Sequence, residues 1–553
     1  MLFLRNQDHT MQNEQKLTFP ALFDESVKKY GQADFLSFVD EKPLSYNDVS
    51  GEIEKLKALL TRHGIKKGDK IAILSVNMPN WGISYLAITF LGAVVVPLLP
   101  DFHENEIEHI LKHAGATGIL VSDKLRNKID HLNCEGLSLC IRIEDFSLIK
   151  ADTELPDASV PDNSLVQEDD MAVIIYTSGT TGKSKGVMLS HKNICSNAIA
   201  GRKLQNITVG DRMLSILPLS HTLENTLGLI LPMIGGGCTY YLPQVPTPAV
   251  LLPAMQKVKP TTMLSVPLII EKIFKLRVRP KLTKSPVLRT MYKISFIRKL
   301  LHRAAGKKLM KSFGGELKFF GIGGAKLDST VEKFLIDAKF PYAIGYGLTE
   351  TSPLLAGANP GDGRLQSTGP VVDGVEIKIN DPNSISGEGE IWARGPNVML
   401  GYYNEPEITS KVITEDGWFK TGDLGSFDKK GYLYIKGRLK NMIVCSSGEN
   451  IYPEEIESVI NNFRFVIESV VVQQKGKLVA LVHFNREELE TRYQHLKEEI
   501  SGSIENKLEE LRKELHNYVN ARVNKFSQLK TVVVQAEPFE KTATQKIKRF
   551  VYA

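Results

Sequence analysis

Cysteine is scarce in this sequence. Five occur in 553 residues (Cys134, Cys140, Cys195, Cys238 and Cys445), an odd number with no CxxC pair. That excludes a disulfide framework or a zinc ribbon and fits a reducing compartment. A secretory signal is missing as well, because the apolar start of "MLFLRNQDHTMQNEQKLTF" is broken at once by polar residues. The most apolar window, "ISYLAITFLGAVVVPLLP" at 83–100, is split by Gly92 and closed by Pro97 and Pro100. It reads as a buried helix followed by a buried strand, not as a membrane span. These absences point to a cytoplasmic protein. No long low-complexity tract interrupts a composition of 42% hydrophobic and 24% charged residues, so the chain is globular and long enough for two or more cores.

Acidic residues are absent from one stretch. Residues 272–311 hold 14 Lys or Arg and no Asp or Glu, while the rest of the chain carries 55 basic against 63 acidic residues. A mildly acidic protein therefore bears one basic, apolar-studded insertion. It reads as a solvated helical face, or as a contact for an anionic membrane or a phosphate-rich ligand, peripheral to the inner face of the cell membrane in the former case. No nucleic-acid module accompanies it, and no nucleic-acid partner is expected.

The stretch "YTSGTTGKSKGV" at 176–187 looks built for phosphate but lacks the Walker pattern. A Walker loop needs glycine five positions before the glycine of "GKS", and that position is Thr177. The loop is followed by a strand-like "GVMLS", with a helix starting only after Ser190 as its cap. Hydroxyls at Thr177, Ser178, Thr180 and Thr181, flexible backbone at Gly179 and Gly182, and the cations Lys183 and Lys185 can surround phosphate oxygens between two strands.

This string resembles the phosphate loop of the acyl-adenylate-forming enzymes, the superfamily of acyl-CoA synthetases, peptide-synthetase adenylation domains and luciferases. Further motifs follow in order: "FFGIGGAKLD" (319–328), "AIGYGLTETSP" (343–353), "GWFKTGDLGSFDKKGYLYIKGRLKN" (417–441), "NMIVCSSGENIYPEEIESVI" (441–460) and "EPFEKTATQKIKRF" (537–550). The resemblance implies that Gly324, Ala325 and Lys326 border the adenine and that Tyr346, followed by Gly347, stacks on it. It implies that Thr349 meets the α-phosphate, that Glu350 holds Mg²⁺, that Asp423 binds the ribose hydroxyls and that Arg438 flanks ribose and phosphate. Lys440 is the implied hinge, Gly448 lines the CoA path and Lys546 is the implied catalytic lysine. Two positions depart from the family's P-K-T-x-x-G-K loop: Glu540 replaces the proline and Gln545 the glycine.

The implied fold is α/β, with a large N-terminal domain (1–439) of α/β sheets plus a small β-barrel-like subdomain and a small mobile α+β C-terminal domain (440–553). The implied reaction joins a carboxylate to AMP, releases pyrophosphate, then passes the acyl group to CoA, with ATP and Mg²⁺ required. "ILPLSHTLENTLGLILPMIGGG" (216–237) places His221 before an apolar run suited to a fatty chain, and the resemblance puts His221 near the carboxylate. "TTMLSVPLIIEKIF", leading into the basic insertion, is most like the long-chain fatty acid–CoA ligases. Acyl carrier protein as acceptor, arrest at the acyl-adenylate, and a non-catalytic nucleotide- or membrane-binding protein are the competing readings. The charged stretch 486–523 reads as a solvated helical hairpin.

Overall fold

The computed structural model describes all residues except 1, 4–15, 133–135, 157, 179–183, 445–449, 475, 494–503, 543–546 and 553. The chain divides into two compact units, the first comprising 1–378, 392–421 and 427–433, the second 379–391, 422–426 and 434–553.

The first unit is built on two eight-stranded sheets of like design. One has the order Gly401–Tyr402, Ser184–Ser190, Met171–Ser178, Val94–Leu98, Lys70–Leu74, Ala116–Val121, Leu139–Arg142, Leu148–Ala151. The other runs Leu354–Gly357, Tyr342–Gly347, Phe319–Ile322, Thr262–Ser265, Arg212–Ser215, Cys238–Tyr241, Asp34–Phe38, Leu44–Ser45. In both, the central strands pair in parallel and the flanking ones antiparallel. Parallel strands are covered on both faces, and their runs are accordingly apolar: Ile71 to Leu74 and Val94 to Leu98 are wholly buried.

The window at 83–100 resolves as expected into the helix Pro79–Phe90 and the strand Val94–Leu98, with Gly92 at φ +70° between them. The helix is apolar all round because it lies inside the unit, where Trp81 stacks on Tyr85 at 5.5 Å. Among the described residues, no helix is long and apolar enough to cross a membrane. A second core gathers Phe274, Phe313, Phe320 and Phe334 beneath the other sheet.

A further sheet takes the order Leu2–Phe3, Glu376–Asn380, Gly389–Arg394, Phe419–Phe427, Leu433–Arg438. The second unit holds the sheet Val466–Gln474, Lys477–Phe484, Thr531–Gln535 and the helices Pro453–Asn461 and Ile504–Asn520. The charged stretch near 504–520 is not simply solvated. Leu508, Leu511, Leu515 and Val519 recur at helical spacing and are buried in this unit's core, leaving the charges on the opposite face.

Candidate active site

The expected phosphate loop joins two antiparallel strands, Met171–Ser178 and Ser184–Ser190, with Thr177 opposite Lys185 and Ser178 opposite Ser184. A hairpin, not a strand-to-helix turn, therefore presents Thr177 at its mouth; Gly179, Thr180, Thr181, Gly182 and Lys183 lie outside the described residues. The helix His191–Leu204 begins only after the hairpin. The Ser190 hydroxyl accepts from the Asn193 N–H at 3.1 Å while Asn193 Oδ1 accepts from the Ser190 N–H at 2.9 Å, closing a reciprocal cap.

Gly324, Ala325 and Lys326 form an exposed turn after the strand Phe319–Ile322, which pairs in parallel with Tyr342–Gly347. The turn and Tyr346 thus lie at the carboxyl ends of adjacent parallel strands, where open α/β sheets bind ligands. Gly324 has φ +85°, a conformation that a side chain would strain. At Gly347 the constraint is contact instead. A Cβ built there would lie 1.7 Å from the Pro353 carbonyl oxygen.

Thr349 and Glu350 open a short 3₁₀ turn directly after this strand. The Glu350 carboxylate accepts from the Tyr402 hydroxyl at 2.9 Å, and the Glu350 carbonyl accepts from the Met399 N–H at 2.9 Å. Tyr402 lies on the strand paired with the phosphate hairpin, opposite Val187, and the Lys185 ammonium sits 5.1 Å from its ring centroid. Glu350, from one sheet, is thereby brought beside the hairpin of the other. A single carboxylate here fits Mg²⁺, which takes one or two protein carboxylates and completes its shell with water and substrate phosphate.

The residues that hold this loop were not singled out by the sequence. Buried Asn397 donates to the Thr351 carbonyl at 2.8 Å and to the Leu354 carbonyl at 3.1 Å. Asn197 donates to the Leu354 carbonyl at 2.8 Å and accepts from its N–H at 2.9 Å. Tyr402 gave no signal either, since its partner Glu350 is 52 residues away in the chain.

In the second unit, Asp423 and Arg438 meet: Arg438 Nε lies 2.7 Å from Asp423 Oδ1, with the aspartate buried and the arginine open to solvent. Two groups expected on one nucleotide are adjacent. Lys440 is exposed on the 3₁₀ turn Leu439–Asn441, while Gly448 lies outside the described residues. The helix Pro453–Asn461 starts with proline in its first turn and Glu454 and Glu455 beside it, as its sequence implies.

Lys546 also lies outside the described residues, but the base of its loop is described. Lys541 pairs with Ile547, the Lys548 N–H donates to the Glu540 carbonyl at 2.8 Å, and Lys541 bridges to Glu468 at 2.6 Å. Arg549 donates to the Val471 carbonyl at 2.7 Å and pairs with Glu457 at 2.7 Å. The Glu540 N–H donates to the Tyr552 hydroxyl at 2.9 Å, a bond that proline could not make. This accounts for one departure from the family loop.

In the segment expected to line the acyl pocket, His221 caps Thr222–Gly235, its Nδ1 accepting from the Leu223 N–H at 3.2 Å. The surprise is Glu224, fully buried with no hydrogen bond of good geometry to either carboxylate oxygen. Burial pushes its pKa up to about 8, opposed only in part by the nearby Ser215 hydroxyl. Thr222, Asn225 and Thr226 are likewise buried with unpartnered polar side-chain atoms. A glutamate in an apolar run gave no sign that it would be sequestered.

Known proteins carry the same plan. The model of the AMP-binding enzyme family matches residues 23–403. The long-chain-fatty-acid–CoA ligase heimdall of Drosophila melanogaster is 30% identical, covering 80% of this chain and 72% of that protein. The chloroplastic long-chain-fatty-acid–[acyl-carrier-protein] ligase AEE15 of Arabidopsis thaliana is 29% identical over 87% of this chain and 78% of its own length. Among solved structures, an ATP-bound RpMatB–BxBclM chimera superposes with a TM-score of 0.75 at 25% identity, covering 97% of this chain and 98% of that one. With a family match across more than half of its length and a relative 30% identical over most of both chains, the chain belongs to the AMP-binding, adenylate-forming enzymes.

Proposed function

We propose that this protein is an acid–thiol ligase that activates a long-chain fatty acid with ATP and Mg²⁺ and delivers the acyl group to CoA. The observation that carries the reading is the convergence of Glu350, Tyr402 and Lys185 beside the phosphate hairpin. A carboxylate is a poor electrophile, and joining it to the α-phosphate gives it AMP as a leaving group. The approach of two anions must be offset by fixed positive charge. In this scheme Thr177, Ser178, Gly179, Thr180, Thr181, Gly182 and Lys183 hold the outer phosphates, and Thr349 orients the α-phosphate. Tyr346, Gly347, Gly324, Ala325 and Lys326 bound the adenine, Asp423 and Arg438 take the ribose side, and Lys546 is the mobile cation. When bound at Glu350, Mg²⁺ supplies charge neutralisation at the phosphates.

The C-terminal domain, 440–553, turns about Lys440 so that Lys546 serves the first half-reaction and the segment at Gly448 the second. His221 lies by the acid's carboxylate, and the apolar segment behind it suits an alkyl chain. The heimdall ligase supports long-chain acids; the Arabidopsis relative supports acyl carrier protein as the alternative acceptor.

Pyrophosphate and AMP release from purified protein, given acids from acetate to stearate with and without CoA, tests the reading. Release that rises with chain length and thioester formation only with CoA are expected. ADP as product, or no AMP with any acid, overturns it. Stronger transfer to acyl carrier protein than to CoA moves the acceptor and leaves the first step standing.

A further inference from the structure

The basic stretch folds as a series of short helices ending in Pro286–Lys293 and Ser295–Ser312, and its residues divide sharply between two faces. The inner face of the last helix carries His302, Gly306 and Leu309, spaced four and three apart and buried. The outer face of the same helix carries Phe296, Leu300, Arg303, Lys307 and Lys311 at the same spacing, all exposed. That stripe is apolar at its N-terminal end and cationic at its C-terminal end.

The preceding helix, Pro286–Lys293, has no buried residue. Val287, Met291 and Ile294 form an exposed apolar stripe that continues toward Phe296. Phe296 is 72% exposed, Val287 67% and Ile294 52%, an unusual concentration of large apolar side chains in water. Twelve of the 14 Lys and Arg between 272 and 311 are exposed, and among the described residues none of these twelve forms an ion pair.

This corner is nonetheless held firmly from beneath. The Tyr292 hydroxyl is 2.7 Å from His302 Nε2, and His302 Nδ1 is 2.9 Å from the Asp337 carboxylate on the helix Ser329–Ala338. Tyr292, on the inner side of its helix, packs against the Phe274–Phe334 core. The apolar tips are therefore displayed by an ordered support and do not project from a loose loop.

We propose that this corner docks the protein on an anionic lipid surface, with Val287, Met291, Ile294, Phe296 and Leu300 entering the headgroup–acyl boundary and the surrounding lysines and arginines meeting lipid phosphates. Charge complementarity selects this occupant. A stretch of chain without Asp or Glu repels a second copy of itself, and apolar tips ringed by cations match an interface that is greasy below and anionic above. The docking does not depend on which acid the protein activates.

The test is flotation of the purified full chain with phosphatidylcholine vesicles, with and without about 30 mol % phosphatidylglycerol, at about 0.1 M salt. At least about tenfold tighter binding to the anionic vesicles is expected, weakening as salt rises. Phe296→Ser combined with Leu300→Ser should lower that binding at least about tenfold without changing the melting temperature, since both side chains are solvent-exposed. Arg303→Glu combined with Lys307→Glu should abolish the preference for anionic lipid. Equal binding to neutral and anionic vesicles, no binding to either, or wild-type binding by the serine double variant overturns the proposal. So does binding to nucleic acid or self-association that the serine double variant abolishes while vesicles remain unbound. Pyrophosphate release with a water-soluble acid, read in parallel, stays at the wild-type level in both double variants. Loss of docking is thereby distinguished from loss of catalysis.

Discussion

The Glu350 loop and the segment following His221 lie in the same unit and treat their polar groups in opposite ways. Around Glu350 the carboxylate, the backbone carbonyls and the N–H groups are bound by Tyr402, Asn397, Asn197 and Met399. After His221, the side chains of Thr222, Glu224, Asn225 and Thr226 enter the interior with unpartnered polar atoms. Buried polar groups are ordinarily bonded, and leaving one unpaired costs about 1–3 kcal/mol. The Glu350 loop is thus largely bonded, with Asn397 Oδ1 itself left unpartnered, and the segment after His221 keeps more unmet hydrogen-bonding capacity among buried apolar neighbours. Glu332 sharpens the point. It too is fully buried, but its carboxylate accepts from the Gln366 N–H at 2.8 Å, the Gln366 amide at 2.7 Å and the Tyr342 hydroxyl at 3.2 Å.

The largest effect is expected from a residue outside both regions. Lys546→Ala should slow adenylate formation by about 10²–10³ while sparing thioester formation from supplied acyl-adenylate. Single-turnover assays of each half-reaction check this, and equal loss in both would refute the proposed alternation of the C-terminal domain.

Glu224→Gln comes next and probes the unpaired side. Its folded-state pKa, about 8, lies above the ordinary value of 4.5. The folded protein therefore holds a proton that the unfolded chain releases across that interval. Stability from this group is complete below pH 4.5 and falls as pH rises toward 8, by at most about 1.4 kcal/mol per unit. Denaturation midpoints of wild type should decline over this window relative to Glu224→Gln, and parallel profiles would count against a sequestered proton.

Asn397→Ala breaks the paired side. Two carbonyls lose their donor, so a stability loss of about 2 kcal/mol and slower adenylation are expected, measured by urea denaturation and pyrophosphate release. Tyr402→Phe should have the smallest effect. It removes one hydrogen bond to Glu350 and keeps the ring facing Lys185, giving about five- to tenfold slower adenylation at nearly unchanged stability. An effect confined to stability would argue against a role for Tyr402 in holding the Glu350 carboxylate.

The sequence made the parts legible wherever chemistry is packed into a short string. The hairpin at 176–187 could be told from a Walker loop by Thr177 and by the strand that follows, and "AIGYGLTETSP" drew attention through its likeness to a family motif. The anchors were hidden because they are ordinary residues made important by distance. Asn197 lies 157 residues from Leu354, and Asn397 46 from Thr351. Charge also misled. The helix Ile504–Asn520 is so rich in Lys and Glu that its four-residue apolar stripe was outweighed, although burial depends on one face and not on the average.

The contact at Gly347 has a practical consequence for redesign. With the Pro353 carbonyl where the smallest side chain would stand, that turn cannot be diversified without rebuilding the loop that carries Glu350. Libraries that vary this unit should leave that turn untouched, whereas Thr222, Glu224, Asn225 and Thr226, whose buried polar atoms have no partners, are not tied to their neighbours in the same way.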